Sequence, residues 1–196
     1  SLKELEDLCG DIRSEIIEVV CKNGGHLGPN LGVVELSTAL HYVYNSPVDK
    51  IVWDVGHQSY VHKMLTGRRD RFHTIRKRGG LGPFTDPNES IHDQFISGHA
   101  GSALSVSAGL AAANPDKNVA VVIGDASFAN GTTLEALNDI NGKLKNLTII
   151  INDNEMSIGE NVGAISGILN KVINSSFYLK LRKDLRYVLS RYNLTK

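Results

Sequence analysis

The 196 residues are enough for one sizeable hydrophobic core, and a content of 41% hydrophobic and 21% charged residues is that of an ordinary globular domain. Twenty-one basic residues balance 21 acidic ones, so no global field draws nucleic acid or an anionic membrane surface, and partners have to be argued from local sites. No apolar stretch approaches membrane-spanning length and charge appears early, at Lys3, Glu4, Glu6 and Asp7, so a cytoplasmic protein without a membrane partner is expected.

From Leu2 to Val20 the apolar residues Leu5, Leu8, Cys9, Ile12, Ile16, Val19 and Val20 recur at helical spacing, and Asn23-Gly24-Gly25 ends the predicted helix. Cys9 and Cys21 lie on that helix about 18 Å apart along its axis. That is too far for a disulfide, and they read as two buried thiols. A loop His26-Leu27-Gly28-Pro29-Asn30 leads to a second helix over Val33 to Tyr44, closed by Asn45-Ser46-Pro47.

Lys50 to Asp54 is short, apolar and β-branched, which predicts a buried strand that delivers His57 near its carboxyl end. Gly79 to Asp93 reads as a long loop, and loops of that length usually serve a function. Ser102 to Ala113 is a small-residue helix stopped by Asn114-Pro115, able to lie close to a sheet or another subunit. Val119 to Ile123 and Leu147 to Ile151 are aliphatic strands flanking a helix from Thr132 to about Leu144, with Thr132 and Glu135 at capping-box spacing. The tail from Ser175 to Lys196 is basic and amphipathic and reads as a packed helix. Strands apolar on both faces alternating with helices predict an α/β fold, a parallel sheet flanked by helices, with no linker or repeat dividing the chain.

Ligands of open parallel sheets bind beyond the carboxyl ends of the strands. Two predicted strands end there in oxygen-bearing residues, Gly124-Asp125 and Asn152-Asp153-Asn154. Mg2+ takes oxygen ligands and commonly shares them with phosphates. The 29 residues from Asp125 to Asn154 are about one helix plus one strand, so both side chains can reach one ion. A pair of turns after two strands would read the same way in residue type. No Gly-x-Gly-x-x-Gly follows a predicted strand, which argues against a nicotinamide enzyme.

Gly124-Asp125 followed by Asn152-Asp153-Asn154 is similar to the thiamine-diphosphate signature that opens with Gly-Asp-Gly and closes about thirty residues later. The run from Asp54 to Arg69 (DVGHQSYVHKMLTGRR) and the run from Asn152 to Gly163 (NDNEMSIGENVG) resemble 1-deoxy-D-xylulose-5-phosphate synthases. The resemblance extends over nearly the whole chain. It implies a thiamine-diphosphate-binding fold and a transferase that condenses pyruvate with D-glyceraldehyde 3-phosphate, feeding isoprenoid and thiamine synthesis. Thiamine diphosphate and Mg2+ are the implied cofactors.

By the same resemblance Asp125, the Asn154 side chain and the Met156 carbonyl hold Mg2+. His57, Gly98, His99, Ala100, Ala126, Ser127 and Asn154 contact the cofactor, and His26 transfers protons near the reacting carbon. His41, His62, His73 and His92 are read as structural. Two positions depart from the pattern. Ala126 stands for a glycine, at about 1 kcal/mol if positive φ is required there, and Ala100-Gly101 stands for a serine pair, with the Gly101 N–H expected to remain available to phosphate.

Family members are longer homodimers whose pyrimidine-binding domain supplies the activating glutamate. Residues 1–196 are therefore expected to be one truncated diphosphate-binding (PP-type) domain, without the pyrimidine-binding and C-terminal domains and inactive alone. The rival readings are the N-terminal subunit of a split transketolase and a cofactor-binding module without turnover.

Overall fold

Three parallel strands organise the fold: β1 (Lys50–Trp53), β2 (Val119–Gly124) and β3 (Leu147–Asn152), in the spatial order β1-β2-β3. The computed structural model describes residues 1–140, 142, 144–152, 175, 180, 183 and 184. Residues 1–156 form one compact unit and 157–196 a second, and the sheet belongs to the first. Asn154, Met156 and most of the tail expected to be helical lie outside the described residues.

Alternation along β2 sets the layers. Val119, Val121 and Ile123 point to one face, where they pack with Leu104 and Ala111 of α5 (Ala103–Ala113) and Ala136 of α7 (Gly131–Asp139). Ala120 and Val122 point to the other, joining Ile51, Trp53 and Leu40 of α3 (Val34–Val43). Both faces are covered by helices, so the central strand carries no polar side chain, as the aliphatic run predicts. The small side chains of α5 are what allow it to approach the sheet closely.

The first helix, α1 (Leu2–Asn23), starts with a Ser1–Glu4 capping box and ends at Gly24, whose φ is 74°. Its buried stripe of Cys9, Ile12, Ile16, Val19 and Val20 packs against Tyr60, Val61, Met64, Phe72 and Ile75. The expectation of two buried thiols is half corrected: both cysteines are free, but only Cys9 is buried and Cys21 is exposed. Cys21 falls off the apolar stripe, beside Val20 but pointing outward.

Three local expectations need correcting. The predicted loop at 26–30 is a helical turn, α2 (Leu27–Leu31). Pro29 is tolerated because in the first turn its missing N–H would have had no intrahelical partner. The cap of α7 is Asn130, whose side chain accepts from the Thr132 N–H at 3.0 Å, so Thr132 sits inside the helix. The same helix ends at Asp139 rather than near Leu144, and Gly142 takes φ 68° soon after. A short helix, α4 (Tyr60–Lys63), a kinked π turn over Met64–Arg68 and a 3-10 turn over Arg69–Thr74 follow β1. No helix or strand occupies 75–102, in keeping with the predicted loop.

One carboxylate joins these parts. Asp54, 1% exposed at the end of β1, accepts from the Gly101 N–H at 3.0 and 3.1 Å and from the Ala103 N–H at 3.2 Å. Gly101 takes φ +87°, and a Cβ there would lie 2.7 Å from Asn130 Cγ, so only glycine fits. Asp54→Ala would bury two N–H groups without an acceptor and is expected to cost about 2–4 kcal/mol. Asp54→Asn, which keeps one acceptor oxygen, should cost less; urea unfolding of the two variants checks both values.

Candidate functional site

The turn that leaves β1 is strained. Val55 has φ 60°, and the Gly56 N–H donates to the Asp54 carbonyl at 2.6 Å, which is the uncommon γ-turn with positive φ at its centre. A Cβ on Gly56, itself at φ +80°, would fall 2.1 Å from Ser97 Oγ. That hydroxyl donates to the Val55 carbonyl at 2.9 Å and bonds Thr85 Oγ1 at 3.0 Å. The segment carrying His57 is thus held against the 85–97 loop.

His26 and His57 come together, with ring centroids 5.4 Å apart in an edge-on arrangement, and the Phe84 ring lies 6.2 Å from that of His26. A Cβ on Gly98 would lie 3.8 Å from the same Phe84 ring. The Nδ1 atoms of both imidazoles are buried without a hydrogen-bond partner. Burial, then the nearby Arg76 charge, lowers the His26 pKa from its ordinary value. Burial and then His26 lower that of His57, with Asp54 opposing. Both rings are therefore neutral near pH 7.

Beneath them sits Asn30, fully buried, whose amide donates to the His26 carbonyl at 2.7 Å and to the His57 carbonyl at 2.8 Å.

Beyond β2 the chain enters a helical turn, α6 (Asp125–Phe128), in which Asp125 is partly buried, Ala126 exposed and Ser127 buried. Gly124 pairs with Asn152, so Asp125 leaves the sheet beside the end of β3. Ala126 is not among the residues with positive φ, so the anticipated alanine cost does not arise. Thr133, fully buried on α7, donates to the Ser127 carbonyl at 2.8 Å, with the Gly101 carbonyl 3.5 Å from the same hydroxyl.

The Gly98–Ala100 turn and α6 are thereby brought together. His99 and Ala100 are exposed. The Gly101 N–H does not remain available to phosphate, because Asp54 takes it. Among the described residues no group of three or more His, Cys, Asp or Glu could hold a metal ion; of the expected Mg2+ ligands only Asp125 is described.

A family model described as 1-deoxy-D-xylulose-5-phosphate synthase matches residues 1–196. The chain belongs to the 1-deoxy-D-xylulose-5-phosphate synthase family. It is 57% identical over 190 residues to a protein of that name from Fusobacterium nucleatum, covering 96% of this chain and 32% of the relative. Its identity to the Syntrophotalea carbinolica protein is 52% over 188 residues, covering 94% of this chain and 30% of the relative. For the Caldanaerobacter subterraneus protein it is 50% over 193 residues, with 96% and 31% covered. The chain spans about a third of the length of the curated relatives it matches, at their N-terminal end.

In this member of the synthase family a buried polar network anchors the 79–97 loop. Arg68 donates through both terminal nitrogens to Asp93, at 2.8 and 2.9 Å, and to Glu89 at 2.9 Å. Lys63, fully buried, pairs with Glu89. The carboxylates in turn accept loop amides, Gly82 on Glu89 and Asp86 on Asp93. His62 Nε2 lies 3.1 Å from Asp93 Oδ1 and His62 Nδ1 lies 2.9 Å from His41 Nε2. An ionised Asp93 can only accept, so His62 donates to it through Nε2 and accepts from His41 through Nδ1.

Sequence reading missed Asn30, Phe84, Thr133 and the Asp93–Arg68 pair as site supports. Arg68 and His62 stand inside the Asp54 to Arg69 run, but their partners are 25 and 31 residues away. Only Asp54, at a strand end, carried a local signal.

Burial, then His62, His92 and Arg68, pushes the His41 pKa down to about 3. Burial lowers that of His62 against the pull of Asp93. Burial would raise Asp93, but the hydrogen bonds from His62 and Arg68 hold it well below the usual carboxylate range. As pH falls below about 6.5, the unfolded chain takes up protons on these histidines while the folded chain stays neutral. Stability is therefore greatest above about pH 6.5, falls as pH drops toward the folded value of His41, and falls further once the unfolded Asp93 protonates. The urea midpoint is expected to be lower at pH 5 than at pH 7.5, and His41→Gln should shrink that difference. A midpoint that rose on acidification would contradict the assignment.

Proposed function

We propose that the chain is the diphosphate-holding part of a transferase that condenses pyruvate with D-glyceraldehyde 3-phosphate to give 1-deoxy-D-xylulose 5-phosphate and CO2. The observation that carries this reading is the 57% identity over 190 residues to a protein named for that synthase. On this reading residues 1–196 are a single PP-type domain. The pyrimidine-binding and C-terminal domains belong to the remainder of the enzyme, which works as a cytoplasmic homodimer.

The residues present fit a Mg2+-thiamine diphosphate cradle. Asp125 is an anionic oxygen donor placed where β2 and β3 end side by side. The orphaned Nδ1 atoms of His26 and His57 are buried polar atoms of the kind a ligand satisfies. Bound thiamine diphosphate supplies the electron sink for breaking and making a carbon–carbon bond beside a carbonyl.

The chain's residues bind and orient. Asp125, with the Asn154 side chain and the Met156 carbonyl, would hold Mg2+. The Ala126 and Ser127 amides and the Gly98-His99-Ala100 turn would contact the diphosphate, while His57 contacts the cofactor from the end of β1. His26, kept neutral by its surroundings, would accept a proton from the reacting substrate and return it.

Two variants separate holding from proton transfer. In the assembled enzyme Asp125→Ala should abolish Mg2+-dependent binding of thiamine diphosphate measured by calorimetry. His26→Ala should leave that binding within a few-fold and lower kcat by about 100-fold or more. The reading fails if the wild-type enzyme releases no CO2 from pyruvate with D-glyceraldehyde 3-phosphate, or turns over only with a ketose phosphate donor.

A further inference from the structure

We infer that Asn30 is a positioning residue, one amide that sets His26 and His57 relative to each other; the inference rests on the proposed function for its catalytic consequence. The carboxamide is fully buried and every strong group on it is used. One N–H goes to the His26 carbonyl at 2.7 Å, the other to the His57 carbonyl at 2.8 Å, and Oδ1 accepts from the Tyr60 N–H at 3.0 Å. The amide orientation is unambiguous, because a flip would set an oxygen against two carbonyls and a nitrogen against an N–H.

The three partners belong to different segments: the residue before α2, the turn after β1 and the first residue of α4. His26 and His57 stand 31 positions apart in the sequence, and among the described residues each ring's Nδ1 is buried without a hydrogen-bond partner. Their edge-on contact at 5.4 Å follows from two backbone segments fastened to one side chain. Tyr60 packs on Phe72 at 5.6 Å and belongs to the core beneath α1. Asn30 therefore refers both imidazoles to a rigid part of the fold. Asn30 is fully buried and its side chain bonds only to backbone groups of His26, His57 and Tyr60, so it acts through the histidines.

Chemistry chooses this residue type. Aspartate has the same shape but no donors at neutral pH, and would set a charge against two carbonyl oxygens. Serine can donate to at most one of them. A graded response is expected in the order Asn30, Asn30→Ser, Asn30→Asp.

The test uses both variants in the assembled enzyme, with imidazole 15N NMR titrations beside the steady-state assay. In Asn30→Asp, and also in the uncharged Asn30→Ser, where no added carboxylate can account for a shift, the His26 and His57 titrations should move up toward the ordinary histidine value as the rings gain freedom and solvent. His62, held by Asp93 and His41, should not move. The kcat should fall by about 10- to 100-fold, the range expected for small misplacement of reacting groups, with Asn30→Ser between it and the wild type. Unchanged His26 and His57 titrations with unchanged kcat would overturn the inference, as would His62 shifting equally or both variants failing to fold. If the wild type shows no synthase activity but the two titrations still move selectively, the proposed function fails and the positioning role stands.

Discussion

The carboxylate of Asp54 reaches across 47 and 49 positions of sequence to take the Gly101 and Ala103 N–H groups. Much of the site depends on that junction. The end of β1 is fixed to the start of α5, and from it the strained turn at Val55 sends the chain on to His57. On the other side the junction fixes the Gly98–Ala100 turn, and through Gly101 and Thr133 it sets that turn beside α6. A buried carboxylate accepting backbone N–H groups avoids the loss of hydration that a lone buried charge would suffer. It also leaves those amides with nothing to offer a ligand, so any anion held nearby must use other donors.

The 79–97 loop is secured by a second kind of buried chemistry. Two cations, Lys63 and Arg68, face two carboxylates, Glu89 and Asp93, and two neutral imidazoles complete the hydrogen bonds. Desolvation makes such clusters weak contributors to net stability. Their geometry is nevertheless demanding, because each charge left alone in the interior would be costly. A loop with no helix or strand, which would otherwise adopt many arrangements, is thus confined to one, and Ser97 and Thr85 carry that arrangement to the carbonyl of Val55.

The histidines of the chain divide by what surrounds them. His62 has both ring nitrogens engaged in the interior, whereas His26 and His57 each keep a buried Nδ1 without a partner. All three are lowered by burial, so the pKa direction does not separate them. The unused hydrogen-bonding capacity does. Several other buried polar atoms also lack a partner, Trp53 Nε1 and Gln58 Nε2 among them, but the two imidazole nitrogens of His26 and His57 are the pair whose rings meet, 5.4 Å between centres.

Periodicity in the sequence was sufficient for the parallel sheet, α1, α3, α5 and the strand that ends at Gly124, because burial on two faces or one stripe writes itself into the spacing of apolar residues. The motifs at Asp54 to Arg69, Gly124 to Asn154 and Asn152 to Gly163 likewise marked the family without coordinates. What the sequence did not carry was the partnership of distant polar residues. Nothing local says that Asn30 in a Gly-Pro-Asn-Leu-Gly run is buried under two histidines, that the Gly101 N–H belongs to Asp54, or that the helix at Gly131 is capped by Asn130. A hydrogen bond between residues tens of positions apart leaves no period and no composition bias. Only the packing of α1, α5 and the strand ends decides which polar groups meet, and with that the geometry of the candidate site.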